Sequence, residues 1–263
     1  GYLGIENGLS NNLVRSIYQD HNGFMWFGTR DGLNRYDGYG FKVFRNKLND
    51  PHSLVHNIIH VINSDVRNHL WIGTRQGISV YDELSGKFNT VTYHSAKGTD
   101  TIREVIKDVE TDAKGNVFIG SEGLGLLLCK ADKLIADQIP LVVKGKETRS
   151  YGVQSLKMDQ KGRLWVFVQN LGLCMLNNHS GKLELINTSL SMSLCMEIDG
   201  NYIWIGTNNG LFKYHMQQNN VEQMFTKGNV PILGAVSTLK HHFFCVDDIY
   251  QRPYFFTAVC NAF

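Results

Sequence analysis

Three sets of residues have the types and spacing for chemistry. His52, His56 and His60 are spaced by four, which on a helix would place three imidazoles on one face as metal ligands. The neighbouring acids Asp82–Glu83 and Asp247–Asp248 suggest acid–base work of the glycoside-hydrolysing kind. The stretch Trp26-Phe-Gly-Thr-Arg-Asp-Gly-Leu-Asn-Arg-Tyr-Asp-Gly38 puts an aromatic, three glycines and two arginines into thirteen residues, as an active-site loop or a phosphate cradle would. Which of these survives depends on the elements that carry them.

The glycine-rich stretch recurs. Trp71-Ile-Gly-Thr-Arg-Gln-Gly and Trp204-Ile-Gly-Thr-Asn-Asn-Gly are close copies, and Phe118-Ile-Gly-Ser-Glu-Gly and Trp165-Val-Phe-Val-Gln-Asn are weaker ones. The anchors Trp26, Trp71, Phe118, Trp165 and Trp204 are 45, 47, 47 and 39 residues apart. A period of about 40–50 residues built from short apolar runs is the signature of a propeller blade.

The first copy divides into four strands. Val14–Gln19 alternates apolar and polar residues up to the turn Asp20-His-Asn-Gly23; Phe24–Thr29 follows, then Leu33–Tyr36 and Phe41–Arg45, with turns at Arg30-Asp31-Gly32 and Asp37–Gly40. Period-two alternation bounded by Gly, Asp and Asn marks strands and hairpins. The expected fold is therefore all-β, a β-propeller of four-stranded antiparallel blades of about 45 residues. Residues 1–263 are read as a single propeller domain or fragment with five clear blades and a partial sixth.

That reading removes the chemistry. The histidines straddle a loop and a strand, so no metal is expected. Adjacent acids point apart on a strand, and the repeated glycines precede strands rather than helix N-termini. No catalytic residue and no cofactor follow.

The recurring residues read as construction. An Asp lies six residues before the anchor (Asp20, Asp65, Asp112, Asp159), with Asp199 five before Trp204, where a short carboxylate can bond turn backbone. A Gly two after the anchor (Gly28, Gly73, Gly120, Gly206), replaced by Phe167 in the fourth copy, lets a neighbouring blade approach. The large anchor rings suit burial between stacked sheets.

Composition agrees. At 263 residues with 43% hydrophobic content, the chain can bury a large core, and no run approaches the roughly 18 apolar residues of a membrane span. A net charge of +2 from dispersed residues gives no support for nucleic-acid contact. Five cysteines form no CxxC pair; Cys129 and Cys174 sit in apolar strands, and buried free thiols are expected. The opening Gly1-Tyr-Leu-Gly-Ile-Glu-Asn-Gly8 shows no signal peptide and reads as a mature or trimmed start.

Gly8–Asp20, Gly23–Gly38, Phe41–Arg45 and Asp50-Pro-His-Ser-Leu54 with His56-Asn57 closely resemble the opening of the two-component regulator propeller. The resemblance is specific over residues 8–88, weakens over 117–186 and recovers at 203–214. It implies a seven-bladed propeller, paired with a second propeller and a β-sandwich, in the periplasmic sensor of a hybrid two-component system. A membrane span, histidine kinase and receiver would follow outside this chain, and the sensor would dimerise. The implied ligand is an oligosaccharide, and the implied output is transcription of glycan-use genes.

If the strand before the Asp turn is innermost, as the resemblance implies, the turn between second and third strands lies on the face of the blade-to-blade connections. Its residues vary among copies: Arg30 and Asp31, Arg75 and Gln76, Glu122, Gln169 and Asn170, Asn208 and Asn209. As a group they are candidate ligand contacts, able to bond sugar hydroxyls or to pair with uronate or sulfate; singly each also reads as an exposed turn residue. The site is expected to need the second propeller, so that the isolated chain binds weakly or not at all.

The segment 235–263 departs from the pattern. Ala235–Leu239 suits a first strand of a sixth blade, but no Asp-x-x-Gly turn or Trp-Ile-Gly-Thr strand follows. Either the blade has diverged or the terminus is unnatural, and unpaired edges would favour self-association or missing partner blades. Two other readings stay open: a polysaccharide lyase or glycosidase on a propeller, and a protein-interaction scaffold.

Overall fold

The computed structural model describes residues 3–225 and the strands at 232–237, 242–247 and 253–258. The chain divides into two compact units, residues 1–140 with 149–152, and 141–148 with 153–263.

In the first unit, blade one is β1 (Val14–Gln19), β2 (Met25–Thr29), β3 (Gly32–Tyr36) and β4 (Phe41–Phe44). Blade two is β5 (Ile59–Ser64), β6 (Leu70–Thr74), β7 (Gly77–Asp82) and β8 (Lys87–Thr90). A hairpin of β9 (Thr92–Ser95) and β10 (Gly98–Thr101) precedes blade three, β11 (Ile106–Thr111), β12 (Val117–Ser121), β13 (Leu126–Cys129) and β14 (Ile135–Ile139).

The second unit opens with the hairpin β15 (Leu141–Val143) and β16 (Lys146–Thr148). Blade four is β17 (Val153–Met158), β18 (Leu164–Val168), β19 (Gly172–Asn177) and β20 (Lys182–Asn187); blade five is β21 (Cys195–Asp199), β22 (Tyr202–Thr207), β23 (Gly210–His215) and β24 (Asn220–Phe225). A three-stranded sheet follows, β25 (Ile232–Ser237), β26 (His242–Asp247) and β27 (Pro253–Ala258). Its first strand begins three residues before the expected Ala235; Thr238, Leu239 and Asp248 lie outside the described residues.

The fold is that of a β-propeller, with antiparallel meanders in the order first to fourth strand. Sheets three and four carry six strands rather than four, because β9 pairs in parallel with β14 and β15 in parallel with β20. The long connections entering these blades form hairpins that cover what would be bare outer edges.

The repeat residues do the packing expected of them. All five anchor rings are buried; Trp26 packs 5.5 Å from Tyr81 of blade two, and Trp165 5.9 Å from Tyr214 of blade five. Burying each such ring contributes about 2–3 kcal/mol. A Cβ on Gly28 would lie 2.6 Å from Ile59 Cγ2, and one on Gly73 would lie 2.7 Å from Ile106 Cγ2, so these glycines let the next blade's first strand close in. In blade four Phe167 fills the corresponding position and is buried among Leu173, Ile205 and Tyr214.

Four of the repeated aspartates do more than hold their turns. Asp65 Oδ1 accepts from the backbone N–H groups of Arg67 and His69, while Oδ2 accepts from Trp71 Nε1 at 3.1 Å. Asp20 and Asp159 bind the indoles of Trp26 and Trp165 in the same way, at 2.6 and 3.1 Å. In blade three, where the anchor is Phe118, Asn116 Nδ2 supplies the donor to Asp112 Oδ2 at 2.7 Å.

Candidate functional site

The turn between second and third strands is tied to the connections entering its own blade and the next. Gly32 N–H donates to Asn57 O at 2.7 Å, Arg75 N–H to Ile58 O at 3.0 Å, Gly77 N–H to Glu104 O at 2.9 Å and Glu122 N–H to Val105 O at 3.0 Å. The variable turn residues therefore stand beside the starts of the first strands.

Those starts share a defect. The β1–β2, β5–β6 and β11–β12 ladders each shift register across one residue, Arg15, His60 and Lys107. All three lie eleven residues before their anchor. A bulge leaves its residue out of the ladder and re-aims the side chain. Because β5 packs between β1 and β11, three bulged strands bring these side chains into one neighbourhood.

Arg15 Nη1 lies 3.1 Å from His60 Nδ1. A guanidinium can only donate, so Nδ1 accepts and the ring is neutral with its proton on Nε2. Burial lowers the His60 pKa to about 4, helped by the charges of Arg15, Lys107 and Arg75 and opposed by Glu122. His56, in the connection, is also lowered by burial and by Arg75, and its Nδ1 accepts from Ile58 N–H. Burial and then the charges of Arg30 and Arg75 lower Arg15 itself.

The candidate residues divide on this geometry. Arg30 and Arg75 are exposed and electrostatically joined to Arg15. Asp31 is turned aside, accepting a fork from Arg45 at 3.2 and 2.9 Å. Glu122 pairs with Lys107 at 3.2 Å, and Gln76 is exposed, its N–H donating to Thr74 Oγ1. In the second unit Gln169, Asn170, Asn208 and Asn209 are exposed; Asn170 N–H donates to Ser191 O, and Asn209 O accepts from Gln223 Nε2.

Arg15 and Lys107 escaped the sequence reading, and His60 entered it only as a possible metal ligand. The signal was available: the position eleven before the anchor is Arg15, His60, Lys107 and Gln154 in successive copies. Among the described residues no group of three or more His, Cys, Asp or Glu is placed to hold a metal.

Residues 8–31 match the family described as two component regulator propeller. Over 48 residues, 18% of this chain and 4% of the relative, the sequence is 50% identical to Histidine kinase P4 of Formosa agariphila. The extracellular domain described as belonging to a hybrid two component system, BT3049, of B. thetaiotaomicron superposes with a TM-score of 0.74 at 21% identity, covering 99% of this chain and 37% of that domain. Virginiamycin B lyase of Staphylococcus aureus gives 0.63 at 10% identity, covering 92% and 83%. This chain thus spans a small part of the first relative and well under half of the BT3049 domain.

Proposed function

We propose, for a chain that carries a two component regulator propeller repeat, that it is the ligand-sensing part of a hybrid two-component system. It contacts an oligosaccharide outside the cytoplasm, in the periplasm. It reports to a histidine kinase beyond this chain, which regulates transcription of glycan-use genes. In that parent the remaining blades and a second propeller complete the site, and the sensor works as a homodimer.

The observation that carries this reading is the pairing of a repetitive scaffold with a non-repetitive polar face. Buried anchors, indole–aspartate bonds and close-approach glycines recur from blade to blade, while Arg15 bonds His60 and the charges of Arg30 and Arg75 act on Arg15. Hydrogen-bonding groups on rigid strands and tied turns suit a polyhydroxylated ligand at low ordering cost. The turn acids Asp31 and Glu122 are each engaged by a basic side chain, which favours binding over glycosidic acid–base chemistry at these turns.

Signalling then requires a ligand that prefers one arrangement of the sensor, since a ligand shifts an equilibrium only by its differential affinity. The test is calorimetric titration of the sensor region with defined oligosaccharides, with chromatography of the sugar afterwards. Saturable binding of intact sugar supports sensing, and new chain ends would show an enzyme.

A further inference from the structure

We infer that Arg15, Arg30, His60 and Arg75 form a subsite for an anionic oxygen group, a sulfate ester or a carboxylate, carried by the sensed sugar. The inference rests on the sensing role and adds the chemical class of the ligand.

The charge arrangement leads to it. Among the described residues, the ion pairs engage Asp31 with Arg45 and Glu122 with Lys107, and none reaches Arg15, Arg30 or Arg75. Glu104 lies over Gly123, where a Cβ would come within 2.8 Å of its Oε2. Like charges near Arg15 disfavour its charged form, and an anion joining the three arginines would offset that repulsion. Arg15 Nη1 lies 3.1 Å from His60 Nδ1, and the Arg75 turn is held to the start of the same strand through its N–H to Ile58 O at 3.0 Å.

The donors also point to an oxyanion. Guanidinium forks match the planar carboxylate and the tetrahedral sulfate. His60, with Nδ1 accepting from Arg15, keeps Nε2–H as the ring's remaining donor. The second unit offers a contrast at the equivalent bulge: Gln154 Oε1 accepts from Ser193 N–H at 2.7 Å. That position holds a connection in blade four, whereas in blades one and two it holds an arginine and a histidine facing the cation cluster.

The test uses the sensor region with the blades and second propeller that complete it, at fixed ionic strength in chloride. Glucose 6-sulfate, glucuronate and glucose are titrated separately, with binding followed by calorimetry and by the His60 imidazole resonances. Either anionic sugar is expected to bind more tightly than glucose and to raise the His60 pKa, and preference between the two identifies sulfate or carboxylate. Arg15→Gln and Arg75→Gln are expected to weaken that binding about tenfold each, the loss of a charge-assisted bond. Lys87→Gln, at an exposed position opening β8 and absent from the charges that act on Arg15 and His60, serves as control and leaves it unchanged. Circular dichroism confirms that the arginine variants are folded. Equal response to all three sugars, or anion binding that survives both arginine substitutions, overturns the subsite. A neutral oligosaccharide bound without any anion effect would overturn it while leaving sensing intact. Cleavage of a bound anionic sugar would support the subsite and remove the sensing role.

Discussion

The guanidinium of Arg15 donates to Nδ1 of His60 at 3.1 Å, joining the bulged residues of two successive first strands. The bond needs a neutral imidazole, and the surroundings supply one. Burial comes first, then Arg15 from β1, Lys107 from β11 and Arg75 from the β6–β7 turn, with Glu122 from the β12–β13 turn opposing.

A pH effect follows with a definite sign. The folded pKa of about 4 lies below the ordinary 6.5, so between those values the unfolded chain binds the proton more readily and stability rises with pH. The contribution is fully present above about 6.5 and is lost as pH falls toward 4. Urea midpoints of the native chain and of His60→Gln, compared from pH 4 to 7, should converge toward the acid end. A difference that does not vary over that range would mean that His60 titrates normally.

The indole–aspartate bond gives a second expectation. Burial would raise the Asp65 carboxyl, but donation from Trp71, His69 and Arg67 holds it below the ordinary value. Asp65→Ala leaves the Trp71 indole and two turn N–H groups without their acceptor, and should cost about 2–3 kcal/mol with a change in Trp fluorescence. Asp112→Ala, whose outer oxygen serves Asn116 rather than a ring, should cost less. Denaturant titration of both variants decides this, and equal losses would mean that the indole bond contributes nothing.

Blade spacing is testable at Gly28. Its added Cβ would meet Ile59 Cγ2 at 2.6 Å and Cβ at 3.0 Å, so Gly28→Ala should destabilise by about 1–3 kcal/mol through overpacking. In the Ile59→Ala background the same change should cost markedly less, a coupling that a double-mutant cycle measures. Simple additivity would place the strain elsewhere.

Burial pushes the thiols of Cys129 and Cys174 up to about 12, and both are free. Iodoacetamide at neutral pH should leave them unmodified in the folded protein and alkylate them after denaturation. Mass spectrometry of their peptides checks this; rapid native labelling would show that these strands open readily.

Much of the architecture was legible because blades repeat. The spacing of Trp26, Trp71, Phe118, Trp165 and Trp204 marked five four-stranded units, and the glycines after the anchor marked where the next blade approaches. The outer hairpins β9–β10 and β15–β16 were not legible, since parallel pairing to a later blade's last strand leaves no local pattern. The indole bond of Asp20, Asp65 and Asp159 was missed although the six-residue spacing displayed it. Turn chemistry accounted for one carboxylate oxygen and left the other unassigned.

The candidate site was legible only in part. Variation among turn residues drew attention to Arg30 and Arg75, whose charges act on Arg15. It drew equal attention to Asp31, whose charge is taken up by Arg45. Arg15 and His60 belong to the repeat itself, at a bulge that period-two alternation does not reveal, so their nearness required three dimensions.

Binding without turnover tests the central claim most directly. The sensor region, including whatever blades complete it, is titrated with an anionic oligosaccharide, and the recovered sugar is analysed by chromatography. Saturable heat with the sugar recovered intact is expected, and Arg15→Gln should abolish or sharply weaken that heat. Shortened or unsaturated sugar products, or heat indifferent to Arg15→Gln, would contradict a sensor that reads its ligand through this cluster.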